Sequence, residues 1–346
     1  MIEAEFIKVR NETVAAVVFL QNRGMTVGEL RELVSSYSDF PKQWAGIFSF
    51  IDNIEYSVVN SSLIENIYLA LSVVVRNKLL YSNKLIKIID INDSDFDLLF
   101  KHYQRSYKTK DPSNYSISEL VQEASAIRFR FDLNQDKVGF FGRETVNDYV
   151  RIDIADRVDD DLRAEFNNII GLKKVAFPGL YACIFDKKNK CLIISVDLAN
   201  IIKSKVLNVE MSKFSIEIKK CVAGVTFPPN SRNLFGKIKL FYDNKEGVAK
   251  DFSLKSPDGV IYHAHANEQH PDARTSIYHT SGEKGVKGKV SLYRICKEFQ
   301  TKRISSYSID LKSIAAMTTK SNPFLYETTI MADSAADFVE AIDKIL

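Results

Sequence analysis

The sequence lacks the short motifs that mark the common nucleotide-binding and hydrolytic enzymes. It has no Walker-type phosphate loop, no G-x-G-x-x-G and no G-x-S-x-G. These absences argue against P-loop nucleotide hydrolysis, dinucleotide binding on a Rossmann fold and serine hydrolysis. There is also no recognisable zinc finger, helix-turn-helix or RNA-binding consensus. A function therefore has to come from composition and from looser arrangements of residues.

Cysteine and glycine are scarce. Only 14 of the 346 residues are glycine, which predicts few extended glycine-rich loops. The four cysteines are widely spaced, without a C-x-x-C pair, and are Cys183, Cys191, Cys221 and Cys296. This spacing predicts reduced thiols that pack as small core residues.

Long hydrophobic runs and a secretory signal are missing as well. The most apolar run, Ile67 to Val75, is far shorter than the roughly 20 residues that a membrane span requires, and we interpret it as a buried helix. The first five residues are acidic, without the basic and apolar regions of a signal peptide. These features predict a cytoplasmic protein with reduced cysteines and no membrane span.

The composition that remains is that of a globular protein. With 45% hydrophobic and 26% charged residues, the chain has enough apolar side chains for a core, and its length suits about two domains. Helix and strand patterns do not alternate regularly, which predicts an α+β fold with mostly antiparallel sheets and flanking helices. The polar segment 108–116 is the predicted linker. It divides the chain into domains 1–115 and 116–346, the second β-rich and basic, with a sub-boundary near residue 200 as an alternative.

Local patterns place the elements. Capping boxes predict three helix starts, at Thr26 with Glu29, Ser62 with Glu65, and Ser116 with Glu119. Alternation predicts two hairpins, 127–133 with 137–141 and 180–185 with 191–196. Further strands are predicted at 5–10, 14–20, 213–218, 237–242, 260–265 and 325–330. Further helices are predicted at 93–103, 160–170 and from Asp333 or Ser334 to the C terminus.

Positive charge is concentrated in one part of the chain. Residues 201–303, called the basic stretch below, hold 19 Lys and Arg against 10 Asp and Glu, whereas residues 1–200 and 304–346 each have a net charge of −3. This excess suits an anionic partner, above all nucleic acid, because phosphate contacts need little more than cations at a reachable spacing. The alternative is a solvated face whose counter-charges come from the acidic parts of the chain.

The candidate nucleic-acid contacts are cations on predicted strands and in a glycine-interrupted loop. Lys237 and Lys239 share one face of a predicted strand, and Arg128 and Arg130 share one face of the first hairpin. The alternative for the two arginines is cross-strand pairing with acids. The densest cluster follows Gly282 and consists of Lys284, Lys287, Lys289, Arg294, Lys297, Lys302 and Arg303.

Four of the five histidines fall within residues 263–279. His263 and His265 are two apart on a predicted strand and point to the same side, a spacing that suits two ligands of a transition metal such as Zn²⁺. His270 is the predicted third ligand, with Glu268 and His279 as alternatives. The other interpretation is a polar strand end whose histidines form hydrogen bonds or face solvent.

A third arrangement matches metal-dependent nucleases. Asp197 ends an apolar strand, and Glu217-Ile-Lys219 lies on the next predicted strand. In such nucleases the carboxylates hold Mg²⁺ and the lysine positions the attacking water. The acid-x-Lys pattern is common, however, and two other places match it: Asp186-x-Lys188 and Asp310-x-Lys312. Chance is therefore the competing explanation.

Taken together, these patterns predict a prokaryotic-type nucleic-acid-binding protein, with DNA favoured over RNA, in antiviral defence or genome maintenance. Binding through phosphates needs no cofactor. Residues 1–115 are predicted to form a homo-oligomer or to contact a partner protein. The alternatives are a nuclease that depends on Mg²⁺ or Zn²⁺, and an interaction module without nucleic acid.

Overall fold

An antiparallel sheet of ten strands runs through the molecule. The structure is a computed structural model, and it describes residues 1–34, 40–121, 127–153, 170–198, 204–228, 231–285, 290–301 and 305–346. The strands are β1 (Lys84–Asp90), β2 (Arg128–Asp132), β3 (Lys137–Asp153), β4 (Ile170–Asp186), β5 (Cys191–Asp197), β6 (Val248–Lys255), β7 (Ile261–His265), β8 (Ser291–Gln300), β9 (Ser306–Lys312) and β10 (Glu327–Ala332). Their order across the sheet is β2-β3-β4-β5-β1-β10-β9-β8-β6-β7.

Ten α-helices accompany the sheet in the described residues. They are α1 (Glu3–Asn22), α2 (Val27–Leu33), α3 (Trp44–Asp52), α4 (Val58–Leu80), α5 (Asp93–Ser106), α6 (Ile117–Val121), α7 (Ser204–Lys220), α8 (Phe235–Asp243), α9 (Ile277–Gly285) and α10 (Ala335–Ile345). The predicted α+β class with antiparallel strands and flanking helices is confirmed.

The sheet joins the two predicted parts of the chain. Strand β1 comes from the first 115 residues, yet it lies between β5 and β10, with Ile88 opposite Ile193 and Leu85 opposite Thr329. The core on one face of the sheet therefore includes residues from both sides of the predicted linker. The division into domains near residue 115 stays a prediction.

Helices pack on both faces of the sheet. Buried side chains of α1, α4, α8 and α10 form one large core with one face. On the other face, α5 and α7 cover strands β3 to β5 in a smaller core. There Phe96 and Phe100 of α5 contact Phe185, and Phe100 also contacts Phe140. This second core positions the surface described in the next subsection.

Several sequence predictions are confirmed. Both hairpins form, as β2–β3 and β4–β5, with antiparallel registers. The capping boxes at Thr26 and Ser116 are present, since each side chain accepts the backbone N–H of the glutamate three residues on. Ser334 caps α10. The box at Ser62 is wrong, because α4 begins at Val58 with Ser57 as its cap.

Four predicted strands are helical. Residues 5–10 and 14–20 belong to α1, which buries Phe6, Thr13, Ala16, Val17 and Leu20 at helical rather than alternate spacing. Residues 213–218 and 237–242 lie in α7 and α8. Each contains apolar residues that also fit a helical period. The helix predicted at 160–170 falls on residues outside the described ranges, except Ile170, which begins β4.

The most apolar helix is a core helix. Ile67, Leu71 and Val75 of α4 are fully buried, so the helix predicted there is confirmed, but Leu69 and Val73 on its other side are more than half exposed. α4 is also the one helix of the described residues that is long and apolar enough to cross a membrane by length and composition. Core helices of soluble proteins pass the same test, so α4 gives no clear indication of a membrane span.

Candidate nucleic-acid interface

Folding pairs many cations of the basic stretch with carboxylates. Arg232 donates from Nη2 to Oδ1 of Asp90 at 2.5 Å. Arg294 lies between two acids, with Nη1 2.8 Å from Asp251 Oδ2 and Nη2 3.1 Å from Asp310 Oδ2. Asp90 and Asp310 come from the acidic parts of the chain. The counter-charges expected for an ordinary surface are therefore present at these positions.

Lys237 and Lys239 lie on helix α8, so the prediction that they share a strand face is wrong. Residues two apart on a helix point in different directions. Lys239 pairs with Asp243 at 2.6 Å, one turn further along the helix. Lys237 is half-buried, and burial lowers its pKa. On a helix, the i, i+3 pair Ile238 and Phe241 faces the core.

Lys297 performs a structural role. Its side chain is fully buried on β8, and Nζ donates to the carbonyl oxygens of Phe241 at 2.9 Å and Asn244 at 2.6 Å. Burial lowers its pKa to about 8. Arg274 donates to the carbonyls of Tyr242, Asn244 and Gly247 at 2.8, 2.6 and 3.1 Å. Two cations thus satisfy the carbonyls that end α8.

The predicted glycine-interrupted cluster is only partly described. Arg294 and Lys297 lie on strand β8, not on a loop, so that expectation is wrong for them. Lys284 lies in the last turn of α9. Lys287, Lys289, Lys302 and Arg303 are outside the described residues. Their predicted contacts with nucleic acid stay predictions.

The histidines of the predicted metal site do not converge with a third ligand. His263 and His265 are exposed on β7, where His263 Nδ1 lies 2.7 Å from Ser253 Oγ and His265 Nδ1 lies 3.6 Å from Asp251 Oδ2. His270 lies in the loop that follows. Within the described ranges, no group of three His, Cys, Asp or Glu residues could hold a metal ion. The Zn²⁺ site stays a prediction.

Asp197, the predicted nuclease carboxylate, lies in a buried ion-pair network. Arg23 donates to both oxygens at 2.7 and 2.5 Å, and Lys84 Nζ lies 3.3 Å from Oδ1. Burial opposes ionisation, but the charges of Arg23 and Lys84 outweigh it and hold the pKa of Asp197 below its usual range. Glu217 and Lys219 are exposed on helix α7, so the predicted strand is wrong. The nuclease alternative, with its Mg²⁺, stays a prediction without support from this placement.

Three acid-free segments meet elsewhere, on the side of the sheet that α5 covers. They are residues 98–110, 127–131 and 187–190, and together they contain nine Lys and Arg and no Asp or Glu. We call the surface formed by these three segments the α5–β2 surface. All three come from the part of the chain whose net charge is −3.

The fold holds the three segments together by backbone and ring contacts. Lys110 N donates to Arg130 O at 3.1 Å and Arg130 N donates to Lys108 O at 2.8 Å, so residues 108–110 line the edge of β2. Near the middle of α5, Lys187 Nζ lies 6.0 Å from the centroid of the Phe100 ring. The β4–β5 turn, the helix and the edge of β2 therefore form one continuous surface.

Within the described ranges, few acids pair with the cations of this surface. Arg130 lies 3.3 Å from Asp132, and Lys190 lies 3.7 Å from Asp97. The remaining cations form no ion pair with any described residue; they are Lys101, Arg105, Lys108, Lys110, Arg128, Lys187 and Lys188. Arg128 lies 6.0 Å from the Tyr107 ring centroid, and Lys110 lies 3.4 Å from that of Tyr115. The surface therefore combines aromatic rings with cations that form no ion pair in the described part of the chain.

Of these residues, only Arg128 and Arg130 are indicated by the sequence patterns. The other cations were missed because the average over residues 1–200 hides a local excess. One signal was available: residues 98–110 contain four Lys and Arg and no acid. Nothing in the sequence indicated that this run would lie beside β2 and the β4–β5 turn.

Comparison with protein-family models, curated proteins and solved structures finds no match to this chain. The function is therefore inferred from the chemistry of the α5–β2 surface.

Proposed function

We propose that this protein binds nucleic acid through the α5–β2 surface. One observation carries the proposal: three acid-free segments from separate parts of the chain converge, and most of their cations form no ion pair with the described residues. Unpaired cations at a protein surface are costly to crowd together, because like charges repel. A phosphate backbone supplies the missing counter-charge.

The nature of the surface suits contacts with a backbone rather than with particular bases. Lys101, Arg105 and Lys108 are exposed, and Arg128 is exposed on the neighbouring strand. Such cations release condensed counterions from the nucleic acid, which gives affinity that depends on salt but little on sequence. Antiviral defence and genome maintenance are settings that such binding suits.

The charged side chains of helix α5 are unevenly distributed along its axis. Asp93 and Asp95 lie in its first turn and Arg105 lies in its last. Both placements interact favourably with the helix dipole, and they separate negative from positive side chains along the helix. The cationic side chains lie at the C-terminal end, which meets Lys108 and the edge of β2 and where the helix dipole itself is negative. An anionic strand would therefore be drawn to the C-terminal half of α5.

The test compares two charge-matched triple variants. Lys101→Gln/Arg105→Gln/Arg128→Gln neutralises the α5–β2 surface, and Lys219→Gln/Lys220→Gln/Lys245→Gln neutralises exposed lysines of the basic stretch. Binding of a fluorescein-labelled 20-nucleotide strand is measured by anisotropy between 50 and 200 mM salt. We expect the first triple to lose at least about tenfold in affinity and roughly 2–3 in the slope of log K against log salt.

The second triple should bind nearly as tightly as the wild type. Charge reversal at Lys284, Lys287 and Lys289 tests the predicted cluster in the same assay. The proposal fails if the wild-type protein does not bind at 50 mM salt. It also fails if the control triple loses as much affinity as the α5–β2 triple.

A further inference from the structure

We infer that the α5–β2 surface binds single-stranded nucleic acid and that bases stack on the rings of Phe100 and Tyr107. This inference rests on the proposed function, and it adds the class of nucleic acid. It starts from the rings that lie among the cations.

The two rings form a supported platform. Phe100 and Tyr107 contact the ring of buried Phe140 at 5.8 and 5.6 Å between centroids, and Tyr107 also stacks on Tyr103 at 5.4 Å. Both residues are only half-buried. Packing against Phe140 fixes their position, so little side-chain entropy would be lost when a base stacks on them.

Each platform ring is stacked on one neighbour, Phe100 on Phe96 at 6.2 Å and Tyr107 on Tyr103. Each also has over it a cation that an incoming base would displace. Arg128 lies 6.0 Å from the centroid of Tyr107, and Lys187 lies 6.0 Å from that of Phe100. Single-strand binding surfaces combine cations that follow the backbone with rings on which bases stack. Phe100 and Tyr107, the residue that caps the C terminus of α5, are seven positions apart, which corresponds to a rise of about 10 Å along the helix. That span corresponds to about three bases at a stacked spacing of about 3.4 Å.

A duplex cannot stack its bases on these two rings. Its bases are stacked on one another and only their edges are accessible in the grooves. Insertion of α5 into a groove is also unfavourable, because the exposed carboxylates of Asp93 and Asp97 at the start of the helix would approach phosphates. A single strand can instead lie along the C-terminal half of α5, with bases on the rings and phosphates at the cations.

The experiment measures three labelled probes of one sequence: a 20-nucleotide DNA strand, the same RNA strand and the 20-base-pair duplex. The variant Phe100→Leu/Tyr107→Leu keeps apolar packing on Phe140 but removes both rings. Its control is Phe324→Leu/Tyr326→Leu, a stacked pair with centroids 5.0 Å apart on another part of the molecule. Arg128→Lys keeps the charge of an exposed residue and removes its planar group.

We expect the wild type to bind the single strands at least about tenfold more tightly than the duplex. The Phe100→Leu/Tyr107→Leu variant should lose about tenfold for single strands and less than about twofold for duplex, and the control pair should lose neither. Arg128→Lys should weaken single-strand binding by about threefold. A strand carrying 2-aminopurine should be quenched on binding to the wild type, because quenching reports stacking directly.

The outcomes separate the two proposals. If the wild-type protein binds none of the three probes, the proposed function itself is overturned. Equal affinity for duplex and single strands, equal losses of the ring variant on both, or bound 2-aminopurine without quenching overturns only the inference. Since 2-aminopurine needs no variant, it decides the matter even if the ring variant does not fold. If the DNA strand or the RNA strand binds more tightly than the duplex, the inference is supported, and the tighter of the two strands shows which nucleic acid the protein prefers.

Discussion

The basic stretch and the α5–β2 surface differ in where their cations go. The basic stretch has 19 Lys and Arg against 10 acids, but Arg232, Arg274 and Arg294 each lie against a carboxylate and Lys297 is fully buried. The cations of the α5–β2 surface come from a part of the chain with net charge −3, yet most have no acidic partner among the described residues. The net charge of a segment is therefore a poor guide to the charge of a surface.

The physical reason lies in what each set of cations contacts. In the basic stretch, the end of α8 presents carbonyl oxygens that Arg274 and Lys297 satisfy, and strands β6, β8 and β9 bring Asp251, Arg294 and Asp310 side by side. Those cations stabilise the fold. On the α5–β2 surface, Lys101 and Arg105 are exposed on a helix whose apolar face is already packed, and Lys108 and Arg128 are exposed beside that helix. Most cations of this surface pair with no acid in the described part of the chain, which is the basis of the proposed interface.

The largest expected difference is in stability on removal of one arginine from each region. Arg274→Gln removes hydrogen bonds to three carbonyls and the pair with Asp272, whose Oδ2 lies 2.5 Å from Nη2. We expect the free energy of unfolding to fall by about 2–4 kcal/mol, because the carbonyls and the carboxylate lose their partner. Arg105→Gln on exposed α5 should cost less than about 0.5 kcal/mol. Urea denaturation of both variants measures the difference, and equal costs would remove the distinction between the two regions.

A second difference concerns pH. Burial lowers the pKa of Lys297 from its ordinary value of 10.5 to about 8. Between these values the unfolded chain keeps the proton and the folded chain releases it, so the free energy of unfolding rises with pH. Relative to Lys297→Met, the wild type should gain on the order of 1–3 kcal/mol between pH 8 and 10.5.

The measured quantity is the difference in the free energy of unfolding between the wild type and Lys297→Met at each pH. Tyrosines and cysteines also titrate in this range, but they are the same in both proteins and cancel in the difference. Urea denaturation at pH 7.5, 9 and 10.5 gives both curves. A flat curve for Lys297→Met would show that the buried ammonium is not destabilised by its site.

Local sequence patterns predicted the parts of the fold that local chemistry decides. The hairpins β2–β3 and β4–β5 follow from strict alternation and short polar turns. The helix starts at Thr26 and Ser116 follow from a side chain that accepts a backbone N–H three residues on. In these cases the contacts lie within a few residues, so no knowledge of the rest of the chain is needed.

Where a pattern fits two periods, the rest of the fold decided. In residues 237–242, alternation places Ile238, Leu240 and Tyr242 on one face, but Leu240 is 61% exposed whereas Phe241 is buried. The helical pair Ile238 and Phe241 gains burial against β8 because α8 packs there. Propensity alone could not choose between the two, since the choice depends on a strand more than fifty residues away.

The α5–β2 surface could not be predicted for a related reason. Its cations belong to segments separated by up to about eighty residues, and they meet through the bridge between Thr109 and Arg130 and the packing of Phe100 on Phe185. These are long-range contacts. The buried network of Asp197, Arg23 and Lys84 is similar, because Arg23 follows α1 and its partner carboxylate ends β5.

A smaller effect is expected at the pair that links the basic stretch to an acidic part of the chain. Arg232 and Asp90 lie 2.5 Å apart, with 24% and 56% of their side-chain surfaces exposed. Because solvent screens such a pair, a double-mutant cycle with Arg232→Gln and Asp90→Asn should give a coupling of about 0.5–1 kcal/mol. The cycle applied to Lys101 and Asp132 on the α5–β2 surface should give none. A coupling near zero for Arg232 and Asp90 would mean that this cation is not held by its acid in solution.

The smallest effect is expected from a variant that increases the positive charge of the α5–β2 surface instead of neutralising it. Asp97 is one of the acids that neutralise the α5–β2 surface, at 3.7 Å from Lys190, and it is more than half exposed. Asp97→Asn frees Lys190 and raises the local charge by one, so we expect nucleic-acid affinity to rise about two- to threefold at 50 mM salt and less at 200 mM. Stability should change by less than about 0.5 kcal/mol. Glu268→Gln makes the same change of charge at an exposed site of the basic stretch and should leave affinity unaltered. If Glu268→Gln raises affinity as much as Asp97→Asn does, overall charge governs binding, and the α5–β2 surface has no special role.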